Sequence, residues 1–244
     1  MGFGNSGAVA AMFAMARRSM SRHVRIARMS LVGRSLLALW LLLVCTATSA
    51  FAHPHVWVTI KSELVYAPDG SVTAIRHAWA FDDMFSAYAL QGVEHTTNGT
   101  FTREELAALA DTNVTSLKEH DYFNYARVDG KIRNDVFSDP TDYWLDYKDS
   151  VLTLHFTLPF KAPLRAQNFE INIFDPEFFI DFAFADDEPP VTMTNAPAQC
   201  TLTTARPNDV PAVSQRLGKS FQPPLEGFAG MGSHFASKIL VKCR

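Results

Sequence analysis

The sequence predicts an α+β fold, made mostly of antiparallel β-sheet in a sandwich-like arrangement, with one main helix near residues 103–119. Three observations lead to this prediction. Apolar and polar residues alternate over many short segments, which is typical of half-buried strands. Pro, Gly, Asp and Asn separate these segments as turn residues do. Only one long stretch shows helical spacing with a start signal, and strand–helix–strand alternation is absent.

The first two strands are predicted to form a hairpin. Apolar residues occupy every second position from His55 to Tyr66, which indicates a strand with one buried face. Pro68-Asp69-Gly70 supplies a turn, and residues 72–81 return as the second strand.

A short helix or loop is expected at 82–90, and the main helix follows it. Thr102 and Glu105 form a capping-box pattern, which predicts a helix over about 103–119. The polar run Thr112-Asn113-Val114-Thr115 is a possible kink or break in this helix.

The remaining alternating segments predict short strands joined by tight turns such as Asp129-Gly130. These strands are expected at 122–128, 143–147, 151–158, 169–173, 178–184, 191–194, 200–204 and 237–243. Residues 206–234 are rich in Pro and Gly and predict loop, with a short helix around Ser214–Leu217 as an option.

Residues 1–52 have the layout of a secretory signal peptide. They carry six arginines and no acidic residue, followed by the apolar run 36–44 and by Ala50-Phe51-Ala52. The run is shorter than the roughly 20 residues that span a bilayer, although an uncleaved N-terminal anchor is the alternative. A start at Met29 would give a leader of ordinary length.

Residues 53–244 are predicted to be a single β-rich domain in the periplasm. They carry 16 basic and 25 acidic residues, a net charge of −9, which argues against nucleic acid as a partner. Cleavage after Ala52 would remove Cys45. The two remaining cysteines, Cys200 and Cys243, suggest one disulfide in an oxidising compartment, with two buried free thiols as the alternative.

Cleavage would also make His53 the first residue, ahead of Pro54 and His55. Alternate side chains of an extended segment point the same way, so both imidazoles can converge on one metal ion. Pro54 has no amide proton, which excludes the N-terminal copper/nickel motif that needs one. Any site therefore needs ligands from elsewhere, and a solvated terminus with two idle histidines is the alternative.

The candidate remote ligands are acidic residues where apolar strands end. Asp82 and Asp175 hold such positions. Asp at a strand end also starts turns by accepting nearby backbone N–H groups, and that interpretation stays open for both. His77 and His120 are further candidates to complete the site, although a satisfied sheet histidine is the simpler explanation for His77.

Several segments together are similar to a known family. They are His53-Pro54-His55-Val56-Trp57-Val58 after a signal peptide, Trp79 to Ser86, Asp121 to Tyr125, Phe174 to Ile180, and Phe235-Ala236 before a last strand that ends at Cys243. In this order and spacing they resemble the bacterial periplasmic family "domain of unknown function 1007", often labelled an uncharacterised ABC-type transport system periplasmic component. The resemblance implies an association with nickel/cobalt permeases of the NicO class and with zinc handling.

By this resemblance His53, His55, Asp82 and Asp175 fall on the family's motifs. We therefore expect a monomeric periplasmic accessory protein, not an enzyme, that binds a divalent transition metal in support of a NicO-type membrane permease. Imidazole and carboxylate ligands suit Zn²⁺, and Ni²⁺, Co²⁺ and Cu²⁺ are compatible. The alternatives are a metal-free module that docks a protein and, less favoured, a copper enzyme whose histidine brace takes a third ligand from His77 or His120.

Overall fold

A computed structural model describes residues 54–96, 99–133, 135–186, 189–206 and 231–244. These residues belong to one compact unit. The predicted signal peptide, Met29, His53 and the optional helix at Ser214–Leu217 lie outside the described residues. In the described part of the chain, no helix is both long and apolar enough to cross a membrane.

Six of the described strands form the first sheet. Alternating apolar residues bury one face of each long strand, as the burial pattern of β1 shows. The order across the sheet is β5-β6-β2-β1-β8, and β9 pairs with the far half of β1. The strands are β1 (Val56–Tyr66), β2 (Val72–Phe81), β5 (Thr141–Lys148), β6 (Val151–Leu164), β8 (Ile180–Phe184) and β9 (Val191–Thr194).

Five described strands form the second sheet, in the order β10-β11-β7-β3-β4. They are β3 (Asn124–Val128), β4 (Lys131–Arg133), β7 (Asn168–Ile173), β10 (Cys200–Ala205) and β11 (Ser237–Cys243). Cys200 lies opposite Cys243 on neighbouring strands, and the two form a disulfide. The structure therefore contains the predicted disulfide and not two free thiols.

Aromatic side chains fill the core that both sheets share. The Trp79 ring from β2 lies 4.9 Å, between centroids, from Phe182 of β8. Phe182 in turn lies 5.3 Å from Phe123, which leads into the second sheet. This arrangement confirms the sandwich-like α+β prediction.

Two α-helices are described where the sequence predicts one main helix and a helix or loop. They are α1 (Asp83–Ala89) and α2 (Ala107–Lys118). The capping box forms, since Thr102 N–H donates to Glu105 at 2.8 Å and Glu105 N–H donates to the Thr102 hydroxyl at 3.2 Å. Turns precede α2, so it begins later than the capping pattern predicts.

The polar run in α2 does not break the helix. Thr112 and Ser116 donate their hydroxyl groups to carbonyls one turn back, at 2.9 Å each. Asn113 donates to the Leu109 carbonyl at 2.8 Å. The polar side chains thus donate to carbonyl groups of their own helix and do not replace its backbone hydrogen bonds.

The sheets are antiparallel except where β8 and β9 run parallel to β1. β8 pairs with Val56–Ile60, and β9 pairs with Ser62–Val65. β9 follows Pro189-Pro190, and neither proline has a backbone N–H to donate. The Pro190 carbonyl still accepts Ser62 N–H at 2.9 Å.

Candidate functional site

The start of β1 lies between two turns that bear acidic residues. His55 N–H donates to the Phe179 carbonyl at 2.8 Å, and the two rings lie 4.9 Å apart between centroids. On the other side of β1, the Trp57 N–H donates to the carboxylate of Asp82, which follows β2. We call this region, defined by His55, Asp82 and Phe179, the His55 end of the first sheet. The His55 side chain is exposed there.

Asp82 holds the His55 end together through its backbone contacts. One carboxylate oxygen accepts Trp57 N–H at 2.9 Å, and the other accepts Phe85 N–H at 2.8 Å as the N-cap of α1. The same side chain therefore extends the β1–β2 ladder and begins the helix. Both oxygens already act as acceptors, as in the turn interpretation of this residue.

The Asp175 carboxylate also accepts backbone N–H groups, three of them where Asp82 accepts two. It is 6 % exposed, and its oxygens accept backbone N–H groups of Glu177 at 3.0 Å, Phe179 at 2.9 Å and Ile180 at 3.0 Å. These bonds shape the turn that brings Phe179 beside His55. Most of the lone pairs of this carboxylate are therefore occupied by the turn.

A cavity of about 430 Å³ lies beside the Asp175 turn. Four carboxylate residues and His120 line it, whereas no lysine or arginine does so among the described residues; the acids are Glu119, Asp121, Asp175 and Glu177. Such a lining gives the cavity a negative potential, which favours cations.

His120 and Asp121 reach this cavity from a strained turn. Asp121, Tyr122 and Phe123 all have left-handed backbone angles, with φ of 51°, 55° and 51°, at a cost of about 1–2 kcal/mol each. The Tyr122 hydroxyl donates to Asp139 at 2.8 Å, and the His120 ring stacks on Phe123 at 5.1 Å. These contacts stabilise the turn and fix the position of His120.

The model of the family described as "Protein of unknown function (DUF1007)" matches residues 38–243. This chain belongs to the DUF1007 family. A search of curated proteins finds no match. All the segments that carry the sequence resemblance lie inside the matched range, so the resemblance is confirmed. Periplasmic location, metal binding and the permease remain predictions.

The structure brings three of the four predicted ligands of this DUF1007 protein to one region. His55, Asp82 and Asp175 are all at or beside the His55 end, and His53 lies outside the described residues. Within the described ranges, no group of three His, Cys, Asp or Glu side chains is arranged to hold a metal ion. The site of the four predicted residues therefore stays a prediction.

His77 does not complete a site at the His55 end. It lies opposite Ser62, seven positions along β1 from His55, which corresponds to roughly 23 Å along a strand. Its ring is buried in the core, where Nδ1 lies 2.9 Å from the Ser62 hydroxyl. The option of His77 as a third ligand, for zinc or for a copper brace, is therefore wrong. His120 is still compatible, because it lines the cavity of the Asp175 turn.

Sequence reasoning missed one carboxylate of the His55 end, Asp181. It lies on β8 opposite Trp57, on the face of the first sheet turned away from the core. Burial raises the pKa of Asp181 above its usual range. The only sequence signal for Asp181 is an acidic residue within a Phe- and Ile-rich strand, which is equally typical of a solvent-facing position.

A second cavity, of about 390 Å³, lies on the same sheet, and among the described residues His77 is the one candidate residue from the sequence that lines it. Trp144 and His155 stack there at 4.7 Å, and His155 Nε2 lies 2.7 Å from Asp146. The guanidinium of Arg103 also lies over the Trp144 ring, 4.5 Å from its centroid. The stack of Arg103, Trp144 and His155 ties the loop before α2 to the edge of the sheet.

Proposed function

We propose that this DUF1007 protein is an exported accessory protein that binds one divalent transition-metal ion, Zn²⁺ first, in support of a NicO-type membrane permease. The ion is bound by the imidazoles of His53 and His55 with a carboxylate from the His55 end. Asp82 and Asp175 are the carboxylates that the sequence predicts. The protein performs no chemistry on the ion and acts by capture and delivery.

The observation that carries this proposal is the position of His55. An exposed imidazole directly precedes β1 between two acid-bearing turns, and a cavity lined by four acidic residues, His120 and the Phe179 that contacts His55 lies beside this region. Acidic residues concentrate cations near the terminus, and neutral imidazole is a good zinc ligand. Family membership supports the same function through the implied link to metal transport.

The exposed aromatic residues of the same region support docking to a partner. Trp57 is 50 % exposed and Phe179 46 %. Large exposed apolar side chains that lie together mark interaction sites more often than single ones do. This observation also favours the second candidate function, a docking module in which the histidines bind no metal.

Metal titration of the exported protein tests the proposal. The chain is expressed with its own leader, purified without an affinity tag and sequenced from its N-terminus, which we expect to be His53. Titration with Zn²⁺ against a chromophoric chelator should give one site. Replacing both histidines (His53→Ala, His55→Ala) should weaken the affinity at least 10-fold, because only the acidic ligands remain.

The control is His95→Ala, which removes an exposed imidazole from the loop before α2 and should leave the affinity unchanged. Equal affinity of wild type and the double histidine variant would contradict the proposal, as would an exported chain that begins at another residue. The docking module without metal predicts, in addition, that a chelator leaves the thermal stability of the exported protein unchanged.

A further inference from the structure

Asp181 lies near His55 at the His55 end of the first sheet. β1 and β8 run parallel, with Val56 opposite Ile180 and Trp57 opposite Asp181. Phe182 and Phe184 are buried in the core, so Asp181 points to the opposite face, as Trp57 does. His55 precedes β1 at a bend. Its N–H donates to the carbonyl of Phe179, two residues before Asp181, and its ring lies 4.9 Å from the Phe179 ring, between centroids.

This placement suits a shared ion. Zinc–nitrogen and zinc–oxygen bonds are each about 2.0–2.2 Å long. An imidazole and a carboxylate that lean towards one another from two neighbouring segments can reach the same ion.

Among the described residues, the Asp181 carboxylate has no hydrogen-bond or ion-pair partner, unlike the two predicted carboxylates. Asp82, in contrast, accepts two backbone N–H groups, and Asp175 accepts three. A metal ion at Asp82 or Asp175 would compete with the bonds that hold the turns.

The surroundings of Asp181 make a cation favourable. The side chain is half-buried beside Trp57, and a partly desolvated carboxylate without a partner costs free energy. A bound cation offsets this cost directly, because opposite charges attract strongly where water is scarce.

We propose that Asp181 is the carboxylate ligand that binds the metal ion together with His55. The inference rests on the proposed function, and it assigns Asp82 and Asp175 to the turns that position these two ligands. Asp181 thereby gives the site its oxygen ligand, and the parallel pairing of β1 and β8 brings Asp181 to the end of the sheet where His55 precedes β1.

Zn²⁺ titration of the exported, untagged protein tests the inference with matched variants. Asp181→Asn keeps the size of the side chain and removes its charge, and we expect at least a 10-fold loss of Zn²⁺ affinity. Asp83→Asn removes one negative charge from an exposed residue of α1 at the same end. It should change the affinity less than 2-fold, which separates direct binding from general attraction.

Thermal unfolding in EDTA separates binding from folding. Asp181→Asn should unfold at the wild-type temperature or above it, since it removes an unpaired charge, whereas Asp82→Asn and Asp175→Asn should unfold at lower temperatures. Wild-type affinity in Asp181→Asn, with affinity lost in His55→Ala, would overturn the role of Asp181 and leave the proposed function intact. No Zn²⁺ binding by wild type, or unchanged binding by His55→Ala, would overturn both.

Discussion

At the scale of single residues, His77 shows how a polar side chain is accommodated between the sheets. Its ring packs 5.0 Å from Phe156 and 5.5 Å from Trp79, between centroids. Nδ1 has the Ser62 hydroxyl as its partner, whereas Nε2 has none within the described residues. Burial lowers the pKa of His77 to about 3, against a smaller opposite effect of Asn124. The ring is therefore neutral in the folded protein at any pH above that value.

The lowered pKa of His77 predicts a loss of stability in acid. Between about pH 6.5 and pH 3 the unfolded chain binds a proton at His77 and the folded protein does not. The free energy of unfolding should therefore decrease as pH falls through this window, by up to about 1.4 kcal/mol per pH unit from this group. Above pH 6.5 the group contributes no pH dependence. Urea denaturation at several pH values measures the slope.

A His77→Leu variant should reduce this slope, because it removes the titrating group. The matched variant His95→Leu changes an exposed histidine and should keep the wild-type slope. Equal slopes in wild type and His77→Leu would show that His77 takes up its proton in the folded state.

At the scale of elements, the sequence predicts strands better than it predicts their partners. Alternation is a local signal, so β1, β2 and the hairpin between them lie close to where the pattern puts them. β6 continues to Leu164, past the predicted end at 158. Pro159 is tolerated there because the register with β2 shifts between Val72 and Ala74. Such register shifts depend on the neighbouring strand, so they cannot be predicted from the local sequence pattern of one strand.

The parallel placement of β8 and β9 against β1 was not predicted for the same reason. Their own alternation marks them as strands but does not specify the direction of their neighbour. The pairing is decided by which apolar faces fit together in the core, a property of segments far apart in the chain.

Gly232 gives a prediction about the short 3₁₀ helix Met231–Phe235. A Cβ at this position would lie 1.6 Å from the Asp175 carbonyl oxygen, so Gly232→Ala must displace the turn that holds Phe179. We expect a loss of about 1–3 kcal/mol in the free energy of unfolding, measured by urea denaturation. Gly130→Ala, where no atom lies within 4 Å and φ is 82°, should cost only about 1 kcal/mol. A smaller loss for Gly232→Ala than for this control would contradict the close approach.

At the scale of the whole molecule, the sequence predicts candidate ligands but not their surroundings. The sequence names His55, Asp82 and Asp175, and the structure places all three at or beside the His55 end, while metal binding by them stays a prediction. The sequence does not single out Asp181, because one acidic residue on an alternating strand is typical of an ordinary solvent-facing position. It also could not separate ligand from turn residue at Asp82 and Asp175, since both roles use an Asp at a strand end. Only the hydrogen bonds in the folded chain distinguish the two.

The disulfide gives a prediction for the stability of the whole molecule. Cys200 and Cys243 are 43 positions apart, and crosslinking a loop of this length restricts the unfolded chain by about 4 kcal/mol in the chain-entropy model. Replacing both (Cys200→Ala, Cys243→Ala) should lower the free energy of unfolding by up to this amount, as should a reducing agent added to the wild type. Chemical denaturation with and without reductant measures both. Unchanged stability in the double variant would contradict this prediction.

The inner position of β1 has a consequence for how this protein is made. One neighbour of β1, strand β2, follows it directly in the sequence. The strands that pair with its other edge, β8 and β9, come only at residues 180–194. A polypeptide that emerges with its N-terminus first therefore carries a bare strand edge until most of its length has been delivered, and such an edge can pair with other chains. Folding is completed late, so a product truncated before Ile180 would keep that edge uncovered and should aggregate.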